Sequence, residues 1–334
     1  MISFESMNIK DVDWRSIQDA GEINIFQTMP WLEFVRDTQQ AEPLVTLIKA
    51  DNHAVGFFTC LIVKKFGLRI LGSPFRGWTT YFMGFNLLQH IIPRHEILRA
   101  LPEYAFGTLD CSYLEIIDPM IDMNDLGGLS YEVERLPWLA IDLTKSEDDL
   151  FAGMKHQCRS NIRKALKSGI EVEEARDPAF ADEYYAQYID VLAKRSLMPA
   201  YSLDTVRNMI EHLLPTGDLL LLRARNPDGI CIATGIFLAR SRTGVFWGAA
   251  SWRDHQSARP NELLAWHGMT VLKARGVRQL HLGGECEQYK EKFGCTEARI
   301  YRIMKARNSM LGRLIHTVTS QKNLRFKNWV LRRL

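Results

Sequence analysis

The amino-acid sequence predicts a mixed α/β (α+β) protein in which one unit is used twice. Two segments about one domain-length apart carry the same signals in the same order: a polar turn, an apolar run, a second turn, a second apolar run. A proline-led helix pattern follows each and gives way to another strand-like run. The chain has 334 residues, 46% hydrophobic and 24% charged, enough to bury two cores of ordinary size.

The first copy opens at "KADNHAVGFFTCLIV", passes "KKFG" and returns as "LRILGSPF". The second opens at "RARNPDGICIATGIFLA", turns at "RSRTG" and returns as "VFWGAAS". β-branched and aromatic residues between turn residues mark both as antiparallel hairpins. The helices begin at Pro93 ("PRHEILRALPEYAF") and Pro260 ("PNELLAWHGMTVLKARG"), the second ended by Gly276. "CSYLEIID" and "VRQLHLGG" are the strands that follow.

Between the copies, "LPWLAIDL" reads as the opening strand of the second unit. Ser146 then caps a helix with acids in its first turn. Phe151, Met154, Cys158, Ile162 and Ala165 form one apolar stripe along it, with Lys155, Arg159, Arg163 and Lys167 beside the stripe at steps of four. Two further helices precede the second hairpin. These patterns divide the chain into residues 1–138, residues 139–304 and a basic tail, 305–334.

Composition narrows the function classes. The net charge is +3, yet the tail alone carries eight basic residues and no acids, so the body is mildly acidic. An anionic partner at that end, tRNA or anionic lipid, suits such a tail; so does a solvated helix docked on the protein itself. DNA is not expected as a partner. The opening "MISFESMNIKDVDW" lacks a basic-then-apolar leader, and cytoplasmic residence follows as the expectation, with peripheral contact at the inner face of the membrane through 305–334. Six cysteines without a CxxC pair read as reduced packing residues, and no spacing supports a metal site.

"LHLGGECEQYKEKFGC", Leu280 to Cys295, crowds ionisable groups at the exit of a buried strand. Residue types alone favour a plain reading, a surface Glu287–Lys290 pair with Tyr289 packed in the core, over a reactive set.

The order strand, helices, hairpin, helix, strand, helix resembles the GNAT acyltransferase fold, and its doubling resembles the FemAB-like branch. That branch includes peptidoglycan interpeptide-bridge aminoacyltransferases and GNAT-type acyltransferases of envelope and polysaccharide clusters. The resemblance is carried by "RSNIRKALKSGIEVE" (159–173), "ARPNELLAWHGMTVLKARGVRQLHLGG" (258–284) and "YKEKFG" (289–294). "FQTMPWLEFV" (26–35) looks like the entry to the family's first domain. By resemblance, Lys290 matches the lysine at the FemAB reaction centre, and Tyr289 the tyrosine that often serves GNAT enzymes as general acid. The acyl transfer to an amine that the resemblance implies would use Lys290 to stabilise the developing oxyanion, Glu285 or Glu287 to take the amine proton, and Tyr289 to protonate the leaving group. One stretch departs from the common pattern: "WRDHQSARPNELL" has no glycine-rich turn to cradle a pyrophosphate, and Pro260 lacks an N–H. Arg253 and Arg259 could hold an anionic donor or acceptor by side chain instead.

The resemblance implies an acyltransferase without a permanent cofactor. Its co-substrate is acyl-CoA or another acyl thioester, or alternatively aminoacyl-tRNA bound along Arg159 and Arg163. The acceptor is an amine on a small-molecule or lipid-linked envelope or polysaccharide precursor, met in part by Arg76 and Tyr81 of the aromatic "SPFRGWTTYFMGF" stretch. A third reading keeps the duplicated fold as a non-catalytic scaffold.

Overall fold

The computed structural model describes residues 1–15, 17, 23–65, 67–88, 93–193, 197–283 and 287–308. It separates into two compact units that are not contiguous in sequence. The first takes its described residues from 1–21, 41–135 and 300–334, and the second from 22–40 and 136–299.

The first unit is built on an eight-stranded sheet. Its strands are β1 (Ile2–Met7), β2 (Glu42–Ala50), β3 (His53–Lys65), β4 (Leu68–Ser73), β5 (Gly84–Leu87), β6 (Tyr113–Ile117), β7 (Glu132–Leu136) and, from the far end of the chain, β15 (Ile300–Ala306). The order is β1-β2-β3-β4-β6-β15-β7, with β5 paired to β3. β3 and β4 form the expected hairpin, Leu61 opposite Gly72, and β4 runs parallel to β6 from Ile70–Tyr113 to Ser73–Ile116. Helix α2 (Arg94–Glu103) buries Ile97, Leu98 and Leu101 in a core shared with Phe58, Leu71, Leu114 and Ile116. Arg302 of β15 and Glu115 of β6 form a buried ion pair, whose partner charge compensates desolvation of each.

The second unit repeats the plan. Its strands are β8 (Leu139–Asp142), β9 (Glu171–Ala175), β10 (Leu219–Arg225), β11 (Cys231–Arg240), β12 (Thr243–Ser251), β13 (Gln279–Gly283) and β14 (Thr296–Glu297), in the order β14-β8-β13-β12-β11-β10-β9. Its helices are α1 (Met29–Gln39), α3 (Glu147–Gly153), α4 (His156–Lys167), α5 (Phe180–Ala193), α6 (Leu203–Leu213), α7 (Pro260–Ala274) and α8 (Glu287–Lys290). The hairpin of β11 and β12 leads through α7 to β13, which lies parallel to β12 as β6 lies parallel to β4. The duplication read from the sequence is thus present in both sheets.

Helices cover both faces of this sheet. On one face α4 and α7 enclose Cys158, Ile162, Leu222, Phe237, Leu264, Met269 and Leu282. Gly268 allows the close approach of α7, because a Cβ there would fall 2.3 Å from the Phe237 ring. On the other face the Thr234 hydroxyl donates to the Gln187 side-chain oxygen of α5 at 2.7 Å.

Three expectations change. "FQTMPWLEFV" does not open the first unit: α1 buries Trp31, Leu32, Phe34 and Val35 within the second, against α6. At the other end, the expected division at 304/305 cuts through β15, which belongs to the first sheet. Lys305 there donates to the Ser130 hydroxyl at 3.0 Å and Arg307 pairs with Asp110 at 2.6 Å. Residues 309–334, the rest of the basic tail, lie outside the described residues.

The third change is local. The helix capped by Ser146 is two helices, broken where Met154 adopts an extended ψ of 152°. Acids at Glu147, Asp148 and Asp149 favour the first start, and the Ser146 hydroxyl accepts from the Asp149 N–H. The break is stabilised from outside: Arg159 donates to the carbonyls of Ala152 and Met154 at 2.5 and 2.6 Å, and the Lys155 N–H donates to the Lys292 carbonyl at 2.9 Å. The apolar stripe survives the break, with Met154, Cys158, Ile162 and Ala165 all buried.

Candidate active site

β12 and β13 are paired over only three residues, Thr243–Val245 against Gln279–His281. Beyond that point β12 continues along β11 to Ser251, while β13 stays with β8 and bulges between His281 and Gly283. Two parallel strands that separate in this way open a cleft in mid-sheet, the place where ligands enter open α/β sheets.

One wall of the cleft mouth comes from the exit of β12. A 3₁₀ turn over Arg253–Ala258 leads to Arg259, held at φ 65°, and α7 starts at Pro260. Asn261 donates to the Ser251 hydroxyl at 2.9 Å, tying the first turn of α7 to the end of β12. Arg253 is clamped by Asp190 of α5, its backbone N–H and Nε donating at 3.0 and 2.8 Å. Its charge is therefore balanced within the protein. Arg259 is exposed at the N-terminus of α7 and makes no ion pair among the described residues.

The "YKEKFG" segment closes the other side. α8 ends at Lys290, and a 3₁₀ turn over Glu291–Phe293 ends at Gly294 with φ 75°. A Cβ on Gly294 would lie 2.8 Å from the Gly153 carbonyl oxygen, so the turn docks on the break between α3 and α4 through backbone contact. Lys155 reinforces it with a 3.0 Å ion pair to Glu291.

Within the segment the second lysine is held by a buried carboxylate. Lys292 Nζ donates to Glu262 Oε1 at 2.8 Å, and Asn161 Nδ2 donates to the same oxygen at 2.9 Å. Glu262 sits in the first turn of α7, where the helix dipole also favours negative charge. The ammonium lies 3.6 Å from the centroid of the Tyr289 ring, and Tyr289 meets Phe293 edge to face at 5.6 Å. Tyr289 is more than a third exposed, Lys290 is half-buried, and Glu285 lies outside the described residues. Glu262, Asn161 and Lys292 carry no prediction from the sequence. A signal exists for two of them: each is polar on an apolar helix stripe, Glu262 in step with Ala265 and Met269, Asn161 with Cys158 and Ala165.

The remaining predicted residues have other engagements. Arg159 closes the end of α3, and Arg163 stacks on the Phe151 ring at 5.2 Å. With Lys155 on Glu291, three members of the basic stripe are used internally. Arg76 and Tyr81 belong to the first unit; Arg76 pairs with Glu134 at 2.7 Å, and its N–H donates to the buried Glu115 carboxylate at 2.6 Å. Cys158 is buried beside this cluster, and burial pushes its thiol up to about 11, so it stays protonated at neutral pH. Among the described residues no three His, Cys, Asp or Glu side chains cluster as metal ligands, and no helix is long and apolar enough to cross a membrane.

Residues 152–291, running from the end of α3 through the cleft to the closing segment, match the Acetyltransferase (GNAT) domain. Residues 152–291 are thus a GNAT-type acyltransferase domain, and the fold of two mixed sheets in tandem is shared with solved tandem GNAT-fold proteins. No curated protein matches it by sequence. Among solved structures it is similar to FemX, with a TM-score of 0.75, 14% identity and coverage of 93% of this chain and 99% of that one. A tandem GNAT protein from the clavulanic acid biosynthesis pathway aligns with a TM-score of 0.54, 10% identity and coverage of 92% and 98%. The C-terminal domain of a protein described as a lysylphosphatidylglycerol synthetase from Agrobacterium fabrum gives 0.56, 13%, and 86% and 94%. At these identities the likeness is one of fold.

Proposed function

We propose that this chain moves an acyl group from a thioester, acyl-CoA or an acyl carrier, to an amine of a cell-envelope or polysaccharide precursor. The observation that carries the reading is the GNAT domain whose matched residues include Tyr289 and Lys290 beside the opening of β12 and β13. The acceptor amine attacks the thioester carbonyl, a C–N bond forms and the C–S bond breaks. Lys290 stabilises the oxyanion, Glu285 takes the amine proton directly or through water, and Tyr289 returns a proton to the leaving thiolate. Arg259 meets the donor's phosphates at the start of α7, where Pro260 supplies no N–H. FemX and the protein described as a lysylphosphatidylglycerol synthetase share the fold, and the lipid in the latter's name supports a lipid-linked acceptor here as well.

One observation favours a second donor. The first turn of α7 lacks glycine and holds the Glu262 carboxylate, an unfavourable neighbour for a pyrophosphate. Aminoacyl-tRNA needs no pyrophosphate cradle. Against it stand Lys155, Arg159 and Arg163, whose cationic groups are already engaged within the protein.

Thermal unfolding with coenzyme A, acetyl-CoA and deacylated tRNA, at low and moderate salt, separates the two. A ligand at about 100 times its Kd adds about 2.7 kcal/mol, read as a rise of a few degrees. The thioester reading expects the rise with the CoA compounds. A rise with tRNA alone, fading with salt, replaces it with aminoacyl transfer.

A further inference from the structure

Glu262, Asn161 and Lys292 have no step in the reaction above, yet three separate elements of the second unit converge on them. The Glu262 carboxylate is almost fully buried, between Leu263 and Leu264 of the core and the polar ends of Asn161 and Lys292. Removing a carboxylate and an ammonium from water consumes most of what their attraction returns, so a well-packed apolar pair would serve stability as well. What an apolar pair cannot supply is a cation fixed over the Tyr289 ring.

Each contact restrains that cation differently. Glu262 fixes the ammonium at 2.8 Å and is itself aligned by Asn161, which in turn accepts from Gln157 at 2.8 Å. The lysine stem starts three residues after Tyr289, which puts both side chains on one side of a single helical turn. Gly294 and Gly153, backbone against backbone, keep the turn seated. The ammonium meets the ring on its face, 3.6 Å from the centroid. A cation there is attracted weakly by a neutral phenol and strongly by a phenolate, because a quadrupole has become a full charge.

We propose that Lys292, anchored by Glu262, is a positioning residue for Tyr289: it sets the tilt of the ring and strengthens the phenol as a proton donor to the leaving group. The inference rests on the reading of Tyr289 as that donor. Among the described residues, the other charged or titratable groups of the site are Lys290 and Glu291 of the same segment, with Lys155 on Glu291, and, around Lys292, Glu262 of α7 and Cys158 and Arg159 of α4. Lys292 stacks on the ring face.

Full-length protein labelled with 3-fluorotyrosine provides the test. The ¹⁹F signal of Tyr289 is assigned by its absence in Tyr289→Phe, and its ionisation is followed by pH titration. A half-exposed ring over a fixed cation predicts about a tenfold larger ionisation constant in the parent protein than in the Lys292→Met/Glu262→Gln double variant. The double variant leaves no buried carboxylate without a partner, and unchanged signals from the other tyrosines verify its fold. Lys292→Arg should restore most of the difference. Equal ionisation constants in parent and double variant overturn the role of Lys292. Release of thiol from acetyl-CoA by the same proteins tests the underlying reading separately. Parental rates in Tyr289→Phe remove Tyr289 as proton donor whatever the titration gives. An inactive Tyr289→Phe with equal ionisation constants sinks the Lys292 inference alone.

Discussion

Between pH 7.5 and pH 4 (both about), the second unit should lose stability through one side chain in its sheet, His281 of β13. His281 is 3% exposed, and the Trp138 indole N–H donates to its Nδ1 at 3.0 Å. An indole nitrogen only donates, so Nδ1 is the acceptor and the neutral ring carries its proton on Nε2. Burial lowers its pKa from the usual 6.5 to about 4. Above pH 6.5 both folded and unfolded chains hold His281 neutral. Between the two values the unfolded chain binds a proton that the folded chain refuses, and stability falls with pH. The gap amounts to about 3 kcal/mol once pH is below about 4, with about 2 kcal/mol already gone near pH 5. His281→Asn keeps an acceptor close to Nδ1 but does not titrate. Urea unfolding of both proteins across this range should give free energies that converge as the pH falls, the parent losing about 3 kcal/mol more than the variant. Parallel curves would refute the reasoning, and so would a His281 proton resonance that titrates near 6.5.

Two further outcomes follow from the same unit. Gly294→Ala combines a left-handed φ with a Cβ 2.8 Å from the Gly153 oxygen, and should lower stability by about 1–3 kcal/mol in a melting experiment while shifting "YKEKFG" and cutting transfer activity. Arg159→Ala leaves the Ala152 and Met154 carbonyls without their donor and should cost about 1–2 kcal/mol in thermal unfolding. Binding of tRNA, measured by gel shift, should not change in that variant, because Arg159 is already committed to α3.

The parts of the fold legible in the sequence are those fixed by neighbours along the chain. Pro260 and Gly276 punctuate α7, the "RSRTG" turn separates β11 from β12, and the Ser146 cap starts α3, all by local geometry. The exchange of α1 and β15 between units is not local. Trp31 and Phe34 would suit any apolar cleft, and only the surface offered by α6 decides where they go. The break at Met154 escapes an apolar stripe because the stripe continues across it; the donors that stabilise it, Arg159 and the Lys155 N–H, act through space. In the candidate site, resemblance singles out Lys290 and Tyr289. It cannot tell that Lys292, two residues on, meets a buried acid. That depends on Glu262 from a helix thirty residues earlier.

The return of β15 to the first sheet sets the order in which the chain can be completed. β15 lies between β6 and β7, inside the sheet and not at its rim. A ribosome delivers it only after every residue of the second unit has been made. The unit that begins first therefore finishes last, holding open the β6–β7 gap, with its unpaired strand edges, throughout synthesis of residues 137–299. The second unit needs α1, already in hand, and is complete on its own schedule. Cutting the chain near residue 136 yields two incomplete halves: one sheet without an interior strand, the other core without the helix bearing Trp31. A fragment carrying the second unit alone would have to splice residues 23–40 onto 136–299.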